Sequence, residues 1–353
     1  MTDSKKVAIV ILNWNGEKLF PEFLPSIIQH SQGKNIEIIV ADNGSTDHSL
    51  EVLKKDYPEV TLLDLKTNYG FALGYNMALK ELDADYFVLV NSDVKVAEGW
   101  IEPCIQQFEN NDKIAAVQPK VLSYNEPDYF EYAGAAGGFI DKFGYPFCRG
   151  RILDHVEKDE QQFEEAGEIF WATGACMFVR ADIFRESGGF DPEFWAHMEE
   201  IDLCWRMKNR GYKITYEPKS VVWHLGGGTL SYGNPRKIFL NFRNNLFMLF
   251  KNLPQYKFKR TMFIRLVLDG LAAVKFLAGF EWKAFVAVMK AHVSFYQNYA
   301  QLMKKRTQLK VDRVKDDHDE IYPKSIMWKF FVEKKYTFSS LNFNLNSHEK
   351  TGI

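Results

Sequence analysis

Four short, unbroken apolar runs rich in Val, Ile and Leu stand near the start of the chain, at 7–12, 36–40, 60–63 and 86–90. Their length and β-branched content predict strands buried on both faces. Between them, residues 19–29, 49–56 and 74–82 carry apolar positions at helical spacing. Strands alternating with helices in this way predict an α/β domain with a mainly parallel central sheet covered on both sides. Ligands of such sheets gather at the carboxyl ends of the strands. Three of these ends run into polar turn-formers: Asn13-Trp14-Asn15-Gly16, Asp42-Asn43-Gly44-Ser45-Thr46-Asp47 and Asn91-Ser92-Asp93.

From about 120 to 235 the pattern turns irregular, with Gly- and Pro-bearing stretches at 132–138 and 143–146, and this region is expected to shape a substrate pocket. Beyond Pro235 it becomes long helical stretches at 238–251, 260–277 and 282–302, with a charged linker at 312–320. The expected division is therefore an α/β unit over 1–234, split into halves 1–95 and 96–234, followed by a helical region over 235–353. Asp269 and Lys275 interrupt the longest apolar stretch of that region, which argues against a bilayer-spanning helix and leaves an interfacial helix or a plain hairpin.

Composition changes this picture in two places. The 44 Lys and Arg nearly balance the 46 Asp and Glu, but residues 235–353 hold 22 basic against 9 acidic side chains, and the rest 22 against 37. A basic tail, in a chain with 29 Phe and 16 Tyr, has the charge for an anionic membrane surface or nucleic acid; a solvated helical face accounts for it as well. The second place is sulfur. Cys104, Cys148, Cys176 and Cys204 lack both the close pairs of a zinc site and the density of a disulfide scaffold, so a reducing compartment is expected. Residues 1–12 lack the basic head and cleavage site of a secretory signal, and the protein is expected to stay inside the cell.

Several groups could carry chemistry, each with a plainer alternative. Asp42 ends a buried-type strand, where an acid can accept hydrogen bonds from a base or ribose; Thr46 or Asp47 need only cap the following helix. Asn68-Tyr69-Gly70-Phe71-Ala72-Leu73-Gly74-Tyr75-Asn76 sets glycines and asparagines at a loop-to-helix junction, either to bring backbone N–H groups to an anion or to make a tight packing loop. It is neither a phosphate-binding Walker loop nor a dinucleotide fingerprint. Asp93 is a natural hard-metal ligand, and His224, after Val221-Val222-Trp223 and before Gly226-Gly227-Gly228, is the best second ligand, although a lone His is often structural. Glu199-Glu200-Ile201-Asp202 crowds three carboxylates: either an acidic helix start that suits the macrodipole, or a group in which one raised pKa yields a general base.

In order, these pieces resemble glycosyltransferase family 2: the Asn-Trp-Asn-Gly strand end, the Asp42–Asp47 turn, the 68–76 junction, Asn91-Ser92-Asp93, Thr173-Gly174-Ala175, Gly188-Gly189-Phe190-Asp191, Glu199-Glu200-x-Asp202-Leu203-Cys204-Trp205-Arg206 and Val222-Trp223-His224. The resemblance spans about residues 5–250 and is closest to bacterial rhamnosyltransferase-like members. It implies a GT-A fold, inversion at the anomeric carbon, a nucleotide-sugar donor and Mg2+ or Mn2+. Asp42 would read the donor base, with Asn13, Asn15, Asn43, Asn68, Gly70, Asn76 and Gly174 lining the substrate site. Asn91, Ser92 and Asp93 would occupy the family's Asp-x-Asp position, and Asp93 and His224 would hold the metal. Glu200 would be the base, Asp202 a supporting acid, and Trp195 and His197 part of the acceptor loop. Asn91 replaces an acid, and Glu200 stands where Asp is common, which leaves Glu199 open as the base.

The expected activity is transfer from a dTDP- or UDP-sugar, such as dTDP-rhamnose, to a hydroxyl of a glycan or lipid-linked acceptor in cell-surface polysaccharide synthesis. A cytoplasmic protein, or one peripheral to the inner face of the membrane, follows; the helical region could meet anionic lipid or a second copy of the chain, and nucleic acid is not an expected partner. The rivals are a sugar nucleotidyltransferase, whose glycine-rich basic loop residues 13–18 do not resemble, and a silent nucleotide-sugar-binding scaffold, against which the acidic trio speaks.

Overall fold

The computed structural model describes residues 5–226 and 234–343; Gly227 and Gly228 of the expected glycine run lie outside them. The first half alternates as expected: β1 (Val7–Asn13), α1 (Phe20–His30), β2 (Ile36–Asp42), α2 (Ser49–Asp56), β3 (Thr61–Asp64), α3 (Gly70–Leu79) and β4 (Tyr86–Asn91). Then come β5 (Val94–Val96), α4 (Glu102–Asn110), β6 (Ile114–Ser123), β7 (Gly138–Asp141), β8 (Pro146–Cys148), β9 (Arg151–Ile152), β10 (His155–Val156), β11 (Gly167–Ile169), β12 (Cys176–Arg180), α5 (Ala181–Glu186), α6 (Glu199–Asn209) and β13 (Lys213–His224).

β3, β2, β1 and β4 lie side by side and parallel; β1, β4 and the second half of β2 are buried, whereas β3, expected as a buried strand, is the sheet's edge and only part-buried. Register sets Asn13 beside Asp42, Asp42 beside Asp64, and Leu12 beside Asn91, so the polar strand ends share one edge. β12 then joins β4 antiparallel, and β6, β13 and β11 extend the sheet. β5 pairs antiparallel with the end of β13, which sets Val94 opposite His224.

Beyond residue 234 follow α7 (Pro235–Asn252), α8 (Gln255–Ala278), α9 (Trp282–Gln297), α10 (Tyr299–Leu309), β14 (Ile321–Tyr322) and α11 (Ile326–Phe331). The expected helix over 282–302 is two helices, divided at Asn298. One hydrophobic core runs from Ala8 in β1 to Leu341 near the last described residue. β14 pairs parallel with β7 and completes a second sheet, β10-β9-β8-β7-β14. The charged segment expected as a linker is docked instead: Val314 and Lys315 donate backbone N–H to the Asn209 carbonyl, and buried Glu320 lies 3.2 Å from Lys208. Asp269, expected to interrupt α8, is fully buried and pairs with Arg265 at 2.8 Å and His292 of α9 at 3.4 Å. None of the described helices is long and apolar enough to cross a membrane.

Candidate active site

Asp42 is fully buried at the end of β2, and its carboxylate accepts from Asn13 Nδ2 (2.9 Å), the Ser45 amide (2.9 Å) and Ser45 Oγ (2.6 Å). These bonds brace the turn after β2. Asn13 is equally enclosed, and its Oδ1 has no partner among the described residues. A Cβ on Gly16 would sit 2.0 Å from that oxygen, so the loop after β1 needs glycine to close. Asn15 accepts from the Thr46 amide at 2.8 Å and donates its own amide to Ser45 Oγ; Trp14, Asn15 and Thr46 are exposed.

The junction over 68–76 takes the packing alternative. Its N–H groups are spent: Tyr69 donates to Asn43 Oδ1 (2.9 Å), Gly70 to Asn68 Oδ1 (2.9 Å), and Phe71 and Ala72 to the Trp195 carbonyl (2.8 and 3.2 Å). No free N–H groups for an anion are left at this helix start. Gly70 has φ +74° and a Cβ on it would lie 2.7 Å from the Trp195 indole nitrogen. Asn76 is structural too, exchanging bonds with the Phe190 backbone at 2.7 and 2.9 Å. Gly174 lets Phe71 approach, since a Cβ would meet that ring at 2.9 Å.

The loop bearing Trp195 and His197 thus rests on the start of α3, and α7 clamps it from the other side. Asn244 Nδ2 donates to the carbonyls of Phe194 (2.9 Å), Ala196 (2.9 Å) and His197 (2.7 Å), and Arg243 to that of Glu193 (2.8 Å). Trp195, His197 and Met198 all hold positive φ, from 62° to 73°, a strain the clamp supports. Burial and Lys237 push His197 down to about 4, so its ring is neutral at pH 7.

α6 begins straight after this strained turn. Glu199 is buried, and burial followed by the Glu200 charge raises its pKa far above the ordinary range. Glu200 is part-exposed, while its Oε2 is enclosed and unpartnered among the described residues; burial pushes it up to about 7. Asp202 has no exposure and is held by Arg206 (2.9 Å), Lys251 (2.9 Å) and Asn252 (2.7 Å). It cannot exchange protons with a substrate; it anchors α6 to α7. Of the trio, Glu200 is the residue that is part-exposed, and its pKa lies near neutrality.

At the other side of the site, pairing of β5 with β13 brings His224 to the Asn91-Ser92-Asp93 turn. His224 Nε2 lies 3.2 Å from Asp93 Oδ1 and 3.3 Å from Asn91 Nδ2, and Nδ1 lies 3.3 Å from Glu131 Oε2. Ser92 is half-buried beside them. Burial opposes charge on His224, but Glu131 and the Asp93 hydrogen bond outweigh it and push the ring up to about 10. Burial likewise opposes the Asp93 carboxylate, and its bond with His224 lowers it below the usual range. Lys237 acts electrostatically on both His197 and Glu131, and Glu131 and Glu200 both act on the buried Cys148 thiol. The 192–198 loop, the start of α6 and the His224 cluster therefore lie within electrostatic reach of shared neighbours.

Glu131, Asn244 and Lys251 went unnoticed in the sequence. Two adjacent asparagines, poor helix formers, inside the otherwise apolar 238–251 stretch were the available signal for Asn244. Nothing local marks Glu131.

The architecture, a sheet of parallel strands continued by an antiparallel β12 and flanked by helices, is that of a GT-A glycosyltransferase. The crystal structure of GalNAc-T7 with UDP, GalNAc and Mn2+ is similar at TM-score 0.57 and 18% identity, over 73% of this chain and 50% of that one. The mannosyltransferase PcManGT from Pyrobaculum calidifontis, in complex with GDP-Man and Mn2+, follows at 0.51 and 15%, over 89% and 88%. The sequence profile of glycosyl transferase family 2 matches residues 8–188, and the chain belongs to that family. Among curated relatives, N-acetylglucosaminyl-diphospho-decaprenol L-rhamnosyltransferase of Mycobacterium tuberculosis is 26% identical, over 64% of this chain and 76% of its own. Poly-beta-1,6-N-acetyl-D-glucosamine synthase of Staphylococcus aureus is 24% identical, over 64% and 51%. The chain spans about half the length of that synthase.

Proposed function

We propose that this glycosyltransferase is inverting and metal-dependent, and moves a sugar, rhamnose in the first instance, from a dTDP- or UDP-sugar to a hydroxyl of a lipid-linked glycan in cell-surface polysaccharide synthesis. The observation that carries the reading is Glu200, part-exposed at the start of α6 and pushed by burial to a pKa of about 7, acting on the same Cys148 thiol as Glu131, the neighbour of His224. Inversion requires in-line attack, so a carboxylate must take the acceptor's proton on the side away from the leaving group. The rhamnosyltransferase relative supports the sugar and the lipid-linked acceptor, and a cytoplasmic or inner-face location fits such an acceptor.

The donor set suits Mg2+ or Mn2+. Two ligands about 2.1 Å from one ion and at right angles are about 3 Å apart, and Asp93 Oδ1 and His224 Nε2 are 3.2 Å apart. Among the described residues no third His, Cys, Asp or Glu completes a metal cluster, which leaves positions for diphosphate oxygens and water. Bound there, the ion neutralises the charge that develops on the departing diphosphate. Asp93 and His224 would hold it, the ion displacing the proton that His224 otherwise carries, with Glu131 orienting the His224 ring through Nδ1 and Asn91 beside both. Glu200 takes the proton, Trp195 and His197 bound the acceptor side, and Asp202 and Asn244 position that side from beneath.

Calorimetric titration with UDP-, dTDP- and GDP-sugars, with and without Mn2+, tests the reading. Metal-dependent binding of one donor class, lost in Asp93→Ala, is expected. A folded protein that binds none of them would be a scaffold instead.

A further inference from the structure

Helices α7 and α9 enclose a groove of about 570 Å³ that lies outside the centre described above. Phe239, Trp282 and Val286 give it an apolar lining, and Arg236, Lys283 and Lys290 stand along it as three cations. None of the three is ion-paired with a carboxylate among the described residues. Arg236 lies instead over the Trp195 ring, 4.1 Å from its centroid, so the groove adjoins the 192–198 loop at this residue. From the lining, apolar residues continue along the same face of α9 as Met289, Val293 and Tyr296, which are 48–59% exposed.

Exposed apolar surface and unpaired cations in one concavity match a ligand that is apolar along its length and anionic at one end. We infer that the groove seats the lipid diphosphate of the acceptor. Its phosphate oxygens lie among Arg236, Lys283 and Lys290, its first hydrocarbon units lie on Phe239, Trp282 and Val286, and its sugar passes Trp195 towards Glu200. This rests on the reading of the acceptor as lipid-linked. A volume of this size admits one chain of such a lipid, whereas a flat bilayer surface meets only the rim. A second copy packed through the same face about a two-fold axis would set these cations against their own counterparts.

Farnesyl diphosphate is a soluble probe with both features. Its binding is measured in EDTA, so that no divalent ion at Asp93 and His224 can hold it, and with saturating UDP. The unaltered chain is expected to bind it, inorganic diphosphate and farnesol separately to bind far less well, and Lys283→Glu/Lys290→Glu and Val286→Glu each to weaken it about tenfold or more. These positions are exposed, and the affinity of both variants for a UDP-sugar with Mn2+ is expected to match the parent, which also reports that they fold. Equal probe affinity in parent and variants overturns the assignment. So does a dimer, seen by sedimentation, that Val286→Glu dissociates, because the second copy then covers the groove. If the parent binds the probe through these residues but no nucleotide sugar, the transfer reaction fails and the groove stands.

Discussion

Glu200 and His224 are both driven up from their ordinary pKa values, and each must lose its proton to act in the role proposed for it. Glu200 accepts a proton only when ionised, so the rate of transfer is expected to rise with pH through about 7, and Glu200→Gln to abolish that limb and lower kcat by about 10²-fold or more, with donor affinity retained. Parallel loss of donor binding would remove Glu200 from the role of base. Its raised pKa also reaches stability. Between about pH 4.5 and 7 the folded protein keeps a proton that the unfolded chain has lost, so stability falls as pH rises through that window, and the Gln variant loses part of the slope in urea titrations. His224 contributes stability that is present below about 6.5 and lost as pH rises towards 10. Glu131→Gln is expected to bring the His224 titration, followed by NMR, down towards its ordinary value; an unmoved titration would mean that Glu131 does not act on the ring. Asp93 and His224 were legible in the sequence as residues at strand ends, where apolar runs stop at a predictable edge. Glu131 was not, because a lone acid in an irregular stretch carries no periodic signal.

At the scale of elements, the telling contact is between the 192–198 loop, the start of α3 and α7. Asn244→Ala leaves the Ala196 and His197 carbonyls without this donor, while Phe194 keeps Arg243, and is expected to destabilise the fold by about 1–3 kcal/mol. The same change should raise hydrogen exchange over residues 194–198 well above that of β1 to β4; uniform protection would show that the clamp is dispensable. Gly70→Ala, with its φ of +74° and the Trp195 indole in the way, is expected to raise acceptor KM more than donor KM, alongside a similar loss of stability. The helices and strands of residues 7–91 could be read from periodicity because each buries its own apolar face. The use of 68–76 could not: glycine and asparagine at a helix start suit an anion or a neighbouring backbone equally, and only the arrival of Trp195, far along the chain, decides it.

For the molecule as a whole, the texture change at residue 235 reads as a boundary, yet Lys251 and Asn252 hold Asp202, and Arg265 reaches the Phe143 carbonyl. Sequence patterning reports how an element meets solvent or core, and it is silent on which core. A chain ended at 234 is expected to lack a cooperative unfolding transition, because it leaves Asp202 buried without its lysine and the lower side of α6 uncovered; a cooperative melt by circular dichroism would refute this. The pairing of Ile321 in β14 with Ile140 in β7 carries a consequence for biosynthesis. A ribosome adding about 5–20 residues per second leaves that edge without its strand for on the order of ten seconds or more. During that interval β7 offers unpaired backbone groups to any neighbouring nascent chain. Crowded polysomes, rather than the finished enzyme, are then where this protein is most exposed to aggregation, and slower initiation or a chaperone bound near residue 140 would relieve it.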